Sequence, residues 1–236
     1  MKQKVYVLGD SIAKGIVYVD EKLQRSQNSA ISILEKELDI QIINLSAFGQ
    51  TLPRICEKKF IENIIEGKGK DVVVFSIGGN DSDYNWKEVA ISPNKNHIPK
   101  TPISQFYNLL DKNIKKLKKN NYTVILVNLP PIHSARFFSN FICKQANGDA
   151  VLKFLQGDIT NIYRHQEAYN NVIVKCGNKN NCTVVDIRTP LLLNRHYSSL
   201  LCDDGIHPNE KGQALIAKII LKETKLMKNE NFVTYK

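Results

Sequence analysis

The chain has 236 residues, 42% hydrophobic and 24% charged, which allows one α/β domain with a sizeable core over residues 1–236 and excludes a disordered chain. No apolar run approaches the roughly 18 residues of a membrane span, and residues 5–8 are too short a run for a signal peptide, so a soluble, cytoplasmic protein is expected. The net charge of +10 raises nucleic acid as a partner. However, Lys112, Lys115, Lys116, Lys118 and Lys119, the densest cations, fall in the last turns of a predicted helix, where they complement its dipole, and no nucleic-acid motif accompanies them, so none is expected to bind.

In chain order, the first strand is the β-branched run 4–8, followed at once by Gly9-Asp10-Ser11. Residues 29–38 form a helix with Ile31, Leu34 and Leu38 on one face, and residues 40–44 form the second strand. The loop Ser46-Ala47-Phe48-Gly49-Gln50 then leads into an amphipathic segment over 52–65. The third strand, 71–77, ends in Gly78-Gly79-Asn80-Asp81. A polar insertion over 81–100 carries Tyr84, Trp86 and Pro93. Thr101 and Pro102 serve as N-cap and first residue of a helix whose stripe is Ile103, Phe106, Leu110, Ile114 and Leu117, ended by Asn120-Asn121. The fourth strand is 122–128, and a second long insertion, 130–171, contains an added helix. The fifth strand, 182–187, leads to Asp203-Asp204-Gly205-Ile206-His207-Pro208-Asn209 and a last helix over 209–226. Alternating helices and short unalternating strands predict a doubly wound parallel sheet, whose sites lie beyond the carboxyl ends of the strands.

Cys56, Cys143, Cys176, Cys182 and Cys202 are an odd set without CxxC spacing, which argues against both a disulfide framework and a zinc site. Buried thiols are expected, with Cys176 and Cys182, on either side of a polar loop, the pair that oxidation would join.

A serine hydroxyl is a poor nucleophile unless a base takes its proton, and that base needs an acid to orient it. Asp204 stands three residues before His207, while His97, His133, His165 and His196 lack an acid at that spacing. The two glycine-bearing loops after the second and third strands can supply donors to an oxyanion. Taken singly, these residues have simpler readings: a turn at Ser11, caps of the last helix at Asp204 and His207, a loop glycine at Gly49 and an Asx turn or helix cap at Asn80 and Asp81.

Together, Gly9-Asp10-Ser11, Asn44 with Gly49, Gly79-Asn80-Asp81 and Asp204-Gly205-Ile206-His207 resemble, in order, the four blocks of the GDSL/SGNH hydrolase family. The resemblance implies a flavodoxin-like three-layer α/β/α sandwich with a mainly five-stranded parallel sheet. It implies Ser11 as nucleophile, His207 as general base and then acid, and Asp204, rather than Asp203, as the orienting acid. The oxyanion hole would comprise the Ser11 N–H, the Gly49 N–H and the Asn80 side chain. Asp10, Tyr84, Trp86 and His133 are candidate pocket residues. The expectation is therefore a metal-free, cofactor-free esterase acting through an acyl-enzyme on a short, acetyl-like ester of a sugar or other polar carrier. The alternatives are a hydrolase of longer acyl chains, of lysophospholipase or thioesterase type, and a noncatalytic glycan- or anion-binding protein on the same fold.

Overall fold

The computed structural model describes residues 3–67, 69 and 71–228. The expected domain also takes in residues 1–2, 68, 70 and 229–236, which lie outside the described residues. The strands are β1 (Lys4–Gly9), β2 (Ile16–Val19), β3 (Lys22–Arg25), β4 (Gln41–Asn44), β5 (Val72–Ser76), β6 (Thr123–Val127) and β7 (Thr183–Val185). Five of them form a parallel sheet in the order β4-β1-β5-β6-β7, as the alternation predicts.

Both faces of the sheet are covered, which is why its strands read as nearly continuous apolar runs. Leu8, Val73, Phe75, Val124 and Leu126 pack on one face against Leu52, Ile55, Ile61 and Ile64 and against the helices Ile103–Lys119 and Thr160–Lys179. Val127 and Val185, with Val74 and Ile125, pack on the other against Ala30, Ile216 and Ala217 of the helices Ala30–Glu37 and Glu210–Lys228. The chain leaves β1 for β4 on one side and then crosses to β5 on the other. The crevice beside β1 is thus the topological switch point, where doubly wound sheets bind ligands.

The amphipathic segment 52–65 is two helices, Leu52–Glu57 and Phe60–Glu66, broken where Lys59 takes φ 53°. The pattern requires the break. Nine residues are about two and a half helical turns, so on a straight helix Ile61 would point away from Leu52, yet both are fully buried.

Thr101 does not cap the next helix, which begins at Ile103 with Pro102 at its N-cap. The Thr101 hydroxyl instead donates to Asp81 Oδ1 at 2.7 Å. In the predicted stripe, Phe106, Leu110, Ile114 and Leu117 are buried, whereas Ile103, in the first turn beyond the core, is 39% exposed. Three of the clustered lysines are engaged: Lys115 with Asp111, Lys116 with Glu62, and Lys118 with the carbonyls of Asn180 and Asn181.

The hairpin β2–β3 is not foreseen. Its turn residues, Asp20 and Glu21, both have positive φ, but no glycine or asparagine signals such a turn. The insertion 130–171 holds more than one added helix: Ser134–Arg136, a π-helical stretch Phe137–Ile142, Cys143–Gln145 and Gly148–Phe154, after which Thr160 opens the crossover to β7. With Trp86 and Val89 of the other insertion, it forms a third apolar cluster containing Ile132, Phe137, Ile142, Val151, Leu155 and Ile162. The five cysteines are free thiols, but only Cys176 and Cys202 are buried, and Cys143 is exposed.

Truncating fully buried Ile114 removes packing from the main core, so I114A should lose about 2–5 kcal/mol of stability. The same change at Ile103 should cost about 0.5 kcal/mol or less. Urea unfolding of both variants checks the pair, and equal losses would contradict this placement of the stripe.

Candidate active site

Ser11 begins the short helix Ser11–Lys14 directly after β1. Asp10 is its N-cap, with Oδ1 accepting from Ile12 N–H at 3.0 Å. Gly9 permits the close approach: a Cβ there would lie 2.5 Å from Ala13 Cβ and 2.7 Å from Ser46 Oγ. The tight turn leaves the serine hydroxyl at the strand end, facing the loop before the last helix.

That loop supplies His207, whose Nε2 lies 2.9 Å from Ser11 Oγ and whose Nδ1 lies 2.5 Å from Asp204 Oδ2. With Nδ1–H donating to the carboxylate, Nε2 is left to accept the serine proton. Asp204 Oδ1 accepts the backbone N–H groups of Ile206 and His207, each at 3.1 Å. Asp204 is 0% exposed, His207 3% and Ser11 6%, so the chain of bonds runs where water competes little with it. Asp204 and His207 are not the caps of the last helix; Asn209 is, its Oδ1 accepting from Gly212 N–H.

The segment after β6 holds this loop in place. His133 N–H donates to Gly205 O at 2.7 Å, and Asn140 Nδ2 donates to Asp203 O at 2.7 Å. Gly205 has φ 74°, and a Cβ on it would come within 2.8 Å of His133 O, Arg136 Cβ and Phe137 N. Only glycine suits both that conformation and that contact.

Two neighbouring loops face Ser11. After β4, Asn44 accepts from Ser46 N–H and donates to Ala13 O, and Gln50 Nε2 donates to Gly9 O at 2.7 Å. These bonds tie the Gly49 loop to the serine turn. After β5, Ser82 N–H and Oγ–H donate to the carbonyls of Gly78 and Gly79, closing the turn that carries Asn80. Among the described residues, the Ser11 N–H, the Gly49 N–H and the Asn80 side chain donate to no protein acceptor. Asn80 Oδ1 accepts no backbone N–H among the described residues either, so no Asx turn forms there.

Ser11, Gly49, Asn80 and His207 open onto one cavity of about 920 Å³, which Asp10, Tyr84 and Trp86 also line. Asp204 stands behind His207, and His133 is not on the cavity wall. His133 Nδ1 accepts from Arg136 N–H, and its ring stacks on Tyr197. Sequence reading misses much of the far wall, where Phe141, Phe154, Ile162 and His165 join Phe137 from the 130–171 insertion and the crossover helix. Phe137 and Phe141, four residues apart and stacked at 5.3 Å, were the available signal. His165 Nδ1–H donates to Ser82 O at 2.9 Å, and burial pushes its pKa down. Burial also pushes the Asp10 carboxyl up to about 6, against the opposing pull of the Ile12 N–H and of nearby His207.

Among the described residues, no group of three His, Cys, Asp or Glu side chains is placed to hold a metal ion, and no helix is long and apolar enough to cross a membrane.

Solved structures share this fold. A lipase/acylhydrolase from Enterococcus faecalis is 19% identical, with 99% of this chain and 98% of that one covered and a TM-score of 0.66. A catalytic mutant of an acetylxylan esterase from Geobacillus stearothermophilus is 18% identical, with 94% and 93% covered and a TM-score of 0.64. A psychrotrophic esterase from Pseudoalteromonas sp., whose structure is described as inhibited by monoethylphosphonate, is 17% identical, with 96% and 99% covered and a TM-score of 0.59. No curated protein sequence matches the chain. The pattern of the GDSL-like Lipase/Acylhydrolase family matches residues 7–215, nearly the whole length that carries the serine, asparagine and histidine loops, and the chain belongs to that family.

Proposed function

We propose that the protein hydrolyses carboxylic esters through an acyl-enzyme on Ser11, with a short acyl group carried on a sugar or other polar alcohol. The observation that carries this reading is the unbroken chain of hydrogen bonds from Asp204 through His207 to Ser11, ending in an open cavity. Ser11 Oγ attacks the ester carbonyl as its proton passes to His207 Nε2, and buried Asp204 balances the imidazolium. The carbonyl oxygen becomes an oxyanion within reach of the Ser11 N–H, the Gly49 N–H and Asn80 Nδ2, whose unengaged state suits this role. The carbon–oxygen bond to the alcohol then breaks and His207 gives its proton to the leaving oxygen. In the second half, water attacks the acyl group, His207 takes its proton, and Ser11 is regenerated with the free acid.

The aromatic wall and the polar lining residues Gln156 and Asn161 support a polar carrier that stacks on half-buried Tyr84. The apolar cluster behind that wall also supports a second reading, longer acyl chains. We take the protein to work as one domain in a reducing, cytoplasmic setting, which its free cysteines suit.

S11A and H207A should each lower turnover of 4-nitrophenyl acetate by at least about 10³-fold while leaving the circular dichroism spectrum unchanged. Retained turnover in S11A would remove the acyl-enzyme.

A series of 4-nitrophenyl esters from acetate to decanoate should give the highest kcat/KM at the shortest chains. A maximum at eight or more carbons would favour the second reading.

Asp10 is pushed up to about 6 from 3.8, so between those values the folded protein holds a proton that the unfolded chain has released. Stability from this group is therefore present below about pH 4 and lost as the pH rises through about 6. D10N keeps the cap acceptor but cannot ionise. Its stability relative to wild type in urea should improve steadily from pH 4 to pH 7, and parallel curves would contradict the assignment.

A further inference from the structure

Asp81 is fully buried beside the active site, and the mechanism above gives it no role. It follows Asn80 directly, and its Oδ1 accepts from Leu52 N–H at 3.0 Å and from the Thr101 hydroxyl at 2.7 Å. Its backbone carbonyl accepts from Thr101 N–H at 3.1 Å. Leu52 opens the helix that follows the Gly49 loop, and Thr51 makes no side-chain cap there. One carboxyl oxygen thus stands in for that missing cap, joins the Gly49 side of the site to the Asn80 side, and closes the base of the 81–100 insertion. The other oxygen, Oδ2, is buried without a hydrogen-bond partner among the described residues.

We infer that Asp81 is a positioning residue for the oxyanion hole, fixing the Gly49 and Asn80 loops relative to each other through Leu52 and Thr101. The inference rests on the proposed roles of Gly49 and Asn80. An oxyanion donor contributes only if it is already in place when charge develops on the substrate oxygen, so a loosened loop costs turnover more than binding. The bridge uses one acceptor oxygen, because Oδ2 meets no donor among the described residues. Asparagine retains that acceptor and alanine does not.

The test measures kcat and KM for 4-nitrophenyl acetate in D81A, D81N, T101V, N80A and the double variant N80A/D81A, with folding checked by circular dichroism. D81A should lower kcat by about 10–100-fold with KM nearly unchanged, D81N should restore most of that loss, and T101V should show a smaller loss of the same kind. In the N80A background, D81A should cost less than it does alone, because only the Gly49 donor is then left to position. An equal loss in both backgrounds, or D81N as poor as D81A, would overturn the inference. If D81A does not fold, D81N and T101V decide it: a raised KM with unchanged kcat in T101V, or inactive D81N, refutes the positioning role. N80A separates this from failure of the underlying reading. Unchanged kcat in N80A rejects Asn80 as an oxyanion donor, whereas a loss in N80A without one in D81A rejects Asp81 alone.

Discussion

The parallel pairing of β1 with β4 on one side and β5 on the other is the constraint on which the site depends. Val7 lies opposite Asn44 in β4 and Val74 in β5, so the three strands end together at one edge. The loops leaving that edge carry Ser11, Gly49 and Asn80. A one-residue slip of β1 would turn its buried side chains to the opposite face of the sheet and move Ser11 off this edge. The cores on both faces that hold the register therefore also hold the position of Ser11.

The acid–base pair reaches the edge differently. Asp204 and His207 come from a loop with little regular structure of its own, and its position is set by neighbours: Cys202 N–H donates to His207 O, Leu201 bridges to Pro208, and the segment from His133 to Asn140 clamps Gly205 and Asp203. The insertion after β6 thus does two jobs. One end supports the loop bearing the histidine, and Phe137 and Phe141, in the π-helical stretch that also carries Asn140, line the cavity. Coupling of this kind ties the cavity-lining aromatics to the loop that carries His207.

The sheet was legible because two-sided burial writes itself into short β-branched runs, and the strand ends were legible because glycine, asparagine and serine collect there. Ser11 is legible for the same reason, and Asp204 and His207 by the acid three residues before the histidine. What sequence concealed depends on contacts between distant segments. The Asp20-Glu21 turn has no glycine to announce it. The break at Lys59 becomes apparent only when Leu52 and Ile61 must face one core, and the Thr101 hydroxyl abandons its own helix because Asp81 lies nearby in space, 20 residues away in sequence. His133 looked like a wall residue from its place after β6, but the backbone there turns its ring toward Arg136 and Tyr197.

The central claim is that the Ser11 hydroxyl is activated by His207. Treatment with a fluorophosphonate, followed by peptide mass spectrometry, reads this directly, because an unactivated serine reacts very slowly. The account predicts a single adduct on Ser11 that forms rapidly in the wild-type protein and at a small fraction of that rate in H207A. An unmodified Ser11, or labelling that proceeds equally fast without His207, would contradict it.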